Sequence, residues 1–306
     1  MLPPAFEVLF TAALVVLGLV VGSFLNVVIW RVPRGESIVH PGSHCPRCGS
    51  PIAGFDNIPV FAWLLLGGRC RVCRGPISWR YPLVEALTGV VTFLFIQHDG
   101  FEPILAFHLV FAWAGIALAL IDLDTFLLPL VITLPLIPIT LASGLLDGRQ
   151  GILRAVLGAG IGWSLIVIVG KIGELIAGQE AMGGGDAWLM ASIGAMTGPL
   201  KLVVALFFAS IQGAILGMIL LRIRRQEEAE LPQPEPPKPE APAEPGVEPR
   251  AEPKPEARSD DEEEDWVPPP TAVPFGPFLV LGALQALLWG DWVLHWLRLD
   301  QLRLWG

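Results

Sequence analysis

Windows of eighteen or more nearly uncharged apolar residues recur along this 306-residue chain, and their repetition limits what it can become. Candidate spans are roughly 6–30, 82–97, 103–121, 126–146, 152–177, 187–199, 202–222 and 275–292, the sixth being short and interrupted by Gly194 and Gly198. Each reads as a membrane-crossing helix, so the expectation is a multi-span protein in a lipid bilayer. Leu9–Trp30 lacks a basic stretch before it and a small-residue cleavage site after it. It reads as a retained first span rather than a signal peptide.

The net charge of −9 comes from one segment. Residues 226–265 hold 15 acids against 4 bases, or −11, which leaves +2 for the remainder. The acidic total therefore says nothing about a basic ligand, and no basic stripe suggests nucleic acid. Pro, Glu and Ala dominate this stretch, which cannot bury enough apolar surface to offset ordering entropy; a disordered, solvated tether is expected. Residues 31–80 carry seven arginines against Glu36 and Asp56, and Arg222, Arg224 and Arg225 close the seventh run. By the positive-inside rule, 31–80 and 223–273 lie in the cytoplasm and both termini outside.

All four cysteines form two pairs, Cys45-Pro-Arg-Cys48 and Cys70-Arg-Val-Cys73. Two such knuckles offer four sulfurs to one ion and fill a tetrahedral shell, so a structural Zn2+ is expected on Cys45, Cys48, Cys70 and Cys73. A reducing compartment disfavours disulfides here. His40 and His44 lie nearby with no coordination position left to fill. The fold class that follows is an all-α polytopic membrane protein of about eight transmembrane helices with a small cytoplasmic zinc-binding loop domain. Its expected parts are a first span (1–30), the zinc loop (31–81), a membrane core (82–222), the acidic linker (223–273) and a last span with its tail (274–306).

Asp122 and Asp186 stand at the rims of apolar runs, where carboxylates are costly and read as functional. The span count brings both to the cytoplasmic rim. Two carboxylates brought together could share one proton and drive hydrolysis by water. A proton path in an ion-coupled transporter is the alternative for these acids, and an assembly scaffold is the alternative for the zinc loop and linker. Asp124, farther into the loop, reads as a rim anchor. Asn26 suits a hydrogen bond between helices, Glu85 a cavity-facing part in methyl transfer or in structure, and His108 a packed neutral site.

Several stretches resemble the type IV prepilin peptidase family of bifunctional leader peptidase/N-methyltransferases. Gly22-Ser23-Phe24-Leu25-Asn26-Val27-Val28-Ile29-Trp30-Arg31-Val32-Pro33 is similar to the family's first-span signature. Asp56-Asn57-Ile58-Pro59-Val60, Gly68-Arg69-Cys70-Arg71 and Ile77-Ser78-Trp79-Arg80-Tyr81-Pro82-Leu83-Val84-Glu85 are similar to its cysteine loop. The family's two catalytic aspartates fall on Asp122, ahead of a Leu-Leu-Pro, and on Asp186 of Gly183-Gly184-Gly185-Asp186. Pro274-Phe275-Gly276-Pro277-Phe278 resembles the run that opens the last span. Where many relatives carry a lysine two positions after the second aspartate, this chain has Trp188, and its long acidic linker is also unusual.

The resemblance implies an aspartic endopeptidase of the bacterial inner membrane. It would remove the basic leader of prepilins or pseudopilins at the cytoplasmic face, after a glycine. It would then methylate the new N-terminus with S-adenosylmethionine. Helix dipoles add an expectation about roles: Asp186, opening a helix, as base, and Asp122, ending one, as proton-bearing acid.

Overall fold

The computed structural model describes residues 3–177, 183–230 and 273–299. Among these residues the fold is helical, with no strand beyond two isolated bridges in the cysteine loop. Eight α-helices follow in order: α1 (Pro4–Arg31), α2 (Phe61–Leu65), α3 (Arg80–Asp99), α4 (Ile104–Thr125), α5 (Leu130–Ser143), α6 (Gly148–Ala177), α7 (Gly184–Glu230) and α8 (Gly276–Trp296). Five stretches are long and apolar enough to cross a membrane: Pro4–Arg34, Ile104–Thr125, Leu130–Ile176, Gly184–Ile219 and Gly276–Trp296. Helix α3 is not among them, since its twenty residues include Arg80, Glu85, His98 and Asp99.

Helix ends follow local chemistry. Pro4 opens α1, where a missing N–H is harmless. Phe126 turns left-handed (φ 56°) after α4, and its N–H closes on the Asp122 carbonyl at 2.9 Å. The apolar run at 126–146 was expected to be helical throughout, but α5 starts only at Leu130. Phe126 has left the helical region, and Pro129 caps α5 in an extended conformation. Inside α7, Gly198 (φ 72°, ψ 171°) and Pro199 break the helix between the two runs expected there. The helix then continues to Glu230, past the expected linker start at 223; residues 231–272 of that linker lie outside the described residues.

With no water to drive them together, helices in lipid associate through close packing of small residues. Gly18 and Gly22 of α1 lie against Thr92, Thr88 and the backbone of Glu85 on α3. Gly158 and Gly194 bring the α6 and α7 backbones into contact, and Gly282 of α8 meets Ala205 and Ala209 of α7. Polar links add to this. Trp113 donates to Thr92 at 3.0 Å, Gln212 to Gln285 at 2.6 Å, and Asn26 to the Tyr81 carbonyl at 3.2 Å. Two compact units result: residues 1–213 with 274–306, and residues 214–273. The features that follow all belong to the first.

Candidate active site and metal centre

Asp122 sits in the last turn of α4 and is 5% exposed. Its Oδ2 accepts the backbone N–H of Gly276, the first residue of α8, at 2.8 Å. That amide is one of the four at a helix start with no partner inside the helix, so a carboxylate is a fitting acceptor. A side chain at 276 would have no room: a Cβ there would lie 2.6 Å from Asp122 Oδ2 and 3.3 Å from Leu128 Cδ2.

Leu128 ties the second acid to this place. A Cβ on Gly185 would fall 2.8 Å from the Leu128 carbonyl oxygen, so the glycine before Asp186 lies directly on the α4–α5 loop. Asp186 follows in the first turn of α7, half-buried, its N–H on the Gly183 carbonyl at 3.2 Å. Leu128 therefore touches both the glycine before Asp186 and the helix start that holds Asp122. Three helix ends thus meet around one loop residue and bring the two expected acids together.

The helix positions behind the expected division of roles are present: Asp122 closes α4 and Asp186 opens α7. Asp122 also accepts a hydrogen bond from the start of α8, where the dipole has the opposite sign. The α8 amide offsets part of the α4 dipole felt by Asp122.

Asp124 is the rim anchor expected. Arg80, the first residue of α3, grips it with two hydrogen bonds of 2.9 and 2.7 Å and reaches the Leu120 carbonyl at 3.4 Å. Trp188 lies beside Trp163 of α6, ring centroids 6.1 Å apart. His108 packs against Phe95 and bonds Asp99 at 2.8 Å, with His98 on the other carboxylate oxygen. Glu85 accepts the N–H of Val60 at 2.7 Å, which holds a β-branched residue at φ 61°. Gly276, Leu128 and Arg80 were not singled out from the sequence. The first two act through backbone and shape, and Arg80 had counted as loop charge and as part of the Ile77–Glu85 run, with no partner assigned.

In the loop between α1 and α3, the sulfurs of Cys45, Cys48, Cys70 and Cys73 all lie within 4.8 Å of one another, with Cys45 and Cys73 at 3.9 Å. Zinc–sulfur bonds of about 2.3 Å in a tetrahedron put sulfurs about 3.8 Å apart, so the four thiols fit the ion. The two knuckles fold alike. Cys45 N–H bonds the Ser50 carbonyl and Cys70 N–H the Gly75 carbonyl, both at 2.9 Å, and a bridge closes each turn (His44 to Pro51, Arg69 to Pro76). Hydrogen bonding with Ser50 holds the Cys48 thiol down to about 6, while burial and the neighbouring cysteines push Cys73 up to about 11. His44 bonds the Gly42 carbonyl instead.

Helices long and apolar enough to cross a membrane thus carry two acids at converging ends and a cysteine quartet that fits a metal ion. Residues 16–98 match the Bacterial Peptidase A24 N-terminal domain, and residues 109–218 match the Type IV leader peptidase family. Proteins named prepilin leader peptidase/N-methyltransferase are similar over nearly the whole chain. The one from Myxococcus xanthus is 40% identical over 98% of this chain and 96% of its own, and that from Pseudomonas aeruginosa 32% identical over 92% and 91%. One from Neisseria gonorrhoeae is 38% identical over 67% of this chain and 80% of its own. No solved structure matches. The chain belongs to the type IV leader peptidase family, and that membership makes it a peptidase with N-methyltransferase activity. Neither the transporter nor the scaffold alternative gains support from the fold or these relatives.

Proposed function

We propose that this enzyme removes the basic leader of type IV prepilins or type II secretion pseudopilins at the cytoplasmic face of the bacterial inner membrane, with Asp122 and Asp186 as its catalytic pair. One carboxylate takes a proton from water as the oxygen attacks the scissile carbonyl carbon. Its protonated partner hydrogen-bonds the carbonyl oxygen, and the departing amine collects a proton as the intermediate collapses. One observation carries this reading: Gly276 and Leu128 bring two acids from separate helices to one point.

The same protein then methylates the new N-terminal amine with S-adenosylmethionine, which supplies the methyl group. Zn2+ on Cys45, Cys48, Cys70 and Cys73 is structural in this account, since four thiolates leave no open position and the loop has little apolar core. The zinc loop spans 31–81, the membrane core 82–222, and 223–273 tether the last span.

The test uses the full-length protein in proteoliposomes with a prepilin peptide bearing a Gly–Phe junction. Asp122→Asn and Asp186→Asn should each slow cleavage by at least about a hundredfold. Cleavage at the wild-type rate in either variant rejects the pair.

A further inference from the structure

Beside the zinc knuckles, a cavity of about 270 Å³ opens between the last turns of α1 and the loop that follows. Val20, Phe24 and Val27 form its helical wall, and Ile38, Val39 and Pro59 are among its loop residues. The polar groups are Ser23, Asn57 and Arg31. Arg31 is the unusual one, a guanidinium only 8% exposed.

Burying a charge without a counter-charge is costly, and buried arginines are normally paired. Arg31 has no acidic partner among the described residues; Nη1 donates to the Ser37 carbonyl at 2.8 Å. Four of its five N–H donors remain beyond that bond, and Arg31 is one of the residues that line the cavity. Such a fork matches a carboxylate held through two parallel hydrogen bonds.

We infer that Arg31 binds the α-carboxylate of the methyl donor, whose methionyl arm occupies this cavity. The inference rests on the methyltransferase reading above and gives it a location. The cavity lies under the range of most whole-ligand pockets, so it suits an amino-acid-sized arm and leaves the adenosine to the open mouth. It also opens at the right end of the bundle. Asn26, on the same turns of α1, bonds the Tyr81 carbonyl, and the neighbouring Arg80 holds Asp124 beside the peptidase site.

Equilibrium binding of labelled S-adenosylmethionine to the full-length protein in neutral-lipid nanodiscs tests this. Arg31→Gln should raise the Kd at least roughly tenfold, the loss expected for a charge-assisted pair. Arg31→Lys, which keeps the charge but not the fork, should recover part of it. 5′-Methylthioadenosine, which lacks the carboxylate-bearing arm, should bind wild type and Arg31→Gln equally, and zinc content should match, showing an intact fold. Unchanged donor affinity in Arg31→Gln overturns the inference while leaving methyl transfer standing. Phosphatidylglycerol binding that Arg31→Gln abolishes, with donor affinity unchanged, also overturns it and assigns the cavity to a lipid phosphate. A wild-type protein that neither binds nor uses the donor fails the methyltransferase reading itself.

Discussion

Two single residues hold Asp122 in different ways, and magnitudes separate them. The Gly276 amide bonds its carboxylate directly in a buried site, where hydrogen bonds to charged groups count for about 1.5–3 kcal/mol. Gly276→Ala pushes a methyl group to 2.6 Å from Oδ2, so the carboxylate or the start of α8 must move. The expected result is a fall in kcat of roughly ten- to a hundredfold with KM little changed, because misplacing a reacting group costs rate more than binding. Arg80 acts at one remove, through Asp124, and both side chains of that pair are 38% exposed. Solvent screens such a pair to about 0–1 kcal/mol. Arg80→Ala should therefore slow the same peptide cleavage only severalfold. Equal losses in the two variants would show that the α8 amide has no special part.

The zinc loop is built from one element used twice, and the copies differ at one informative place. Gly49 takes φ 70° at the end of the first knuckle, and Arg74 takes φ 56° at the matching place in the second. Left-handed backbone costs a side-chain-bearing residue about 1 kcal/mol or more, which glycine avoids. Arg74→Gly should stabilise the knuckle by about 0.5–1 kcal/mol, and zinc should pass to a chelator severalfold more slowly than from wild type. A faster loss would mean that Arg74 contributes something beyond the turn. Such spacing patterns explain what was legible in the sequence. Cys45, Cys48, Cys70, Cys73, Asp122 and Asp186 carry their chemistry in side chains at readable intervals. Gly276 contributes an amide that every residue but proline has, and Leu128 a shape, so neither differs from its neighbours until the chain is folded. The late start of α5 was readable in principle, because Pro129 restricts the residue before it. Hydropathy alone counted 126–129 as helix, since apolar residues serve loops and spans equally well.

At the scale of the molecule, helix length bears on how often the chain crosses the bilayer. Leu130–Ile176 would extend about 70 Å as one rod, against a hydrocarbon core of about 30 Å. It turns at Gly144–Gly148, where the helix tightens and Gly148 takes φ 65°. Gly184–Ile219 is likewise too long for one upright crossing, and Gly198–Pro199 breaks it. We propose counting each as two and adding α3 beside α1, an eight-crossing arrangement in which the start of α1 and the end of α8 share one side. The arginine excess of 31–80 then sets that side as external. This arrangement also puts the ends of α4 and the start of α7, with their acids, on the zinc-loop face. Reporter fusions test it directly. Alkaline phosphatase joined after Gly100 or after Gly148 should be active, as an exported enzyme, while fusions after Gly35 or after Arg225 should be inactive there and fluorescent when the reporter is a cytoplasmic one. Activity after Gly100 but not after Gly148 would merge α5 and α6 into a single tilted or re-entrant segment. A single crossing there would put Asp186 on the face opposite Asp122 and end the pairing, whereas a re-entrant pair would keep both acids on one face and the last span running as proposed.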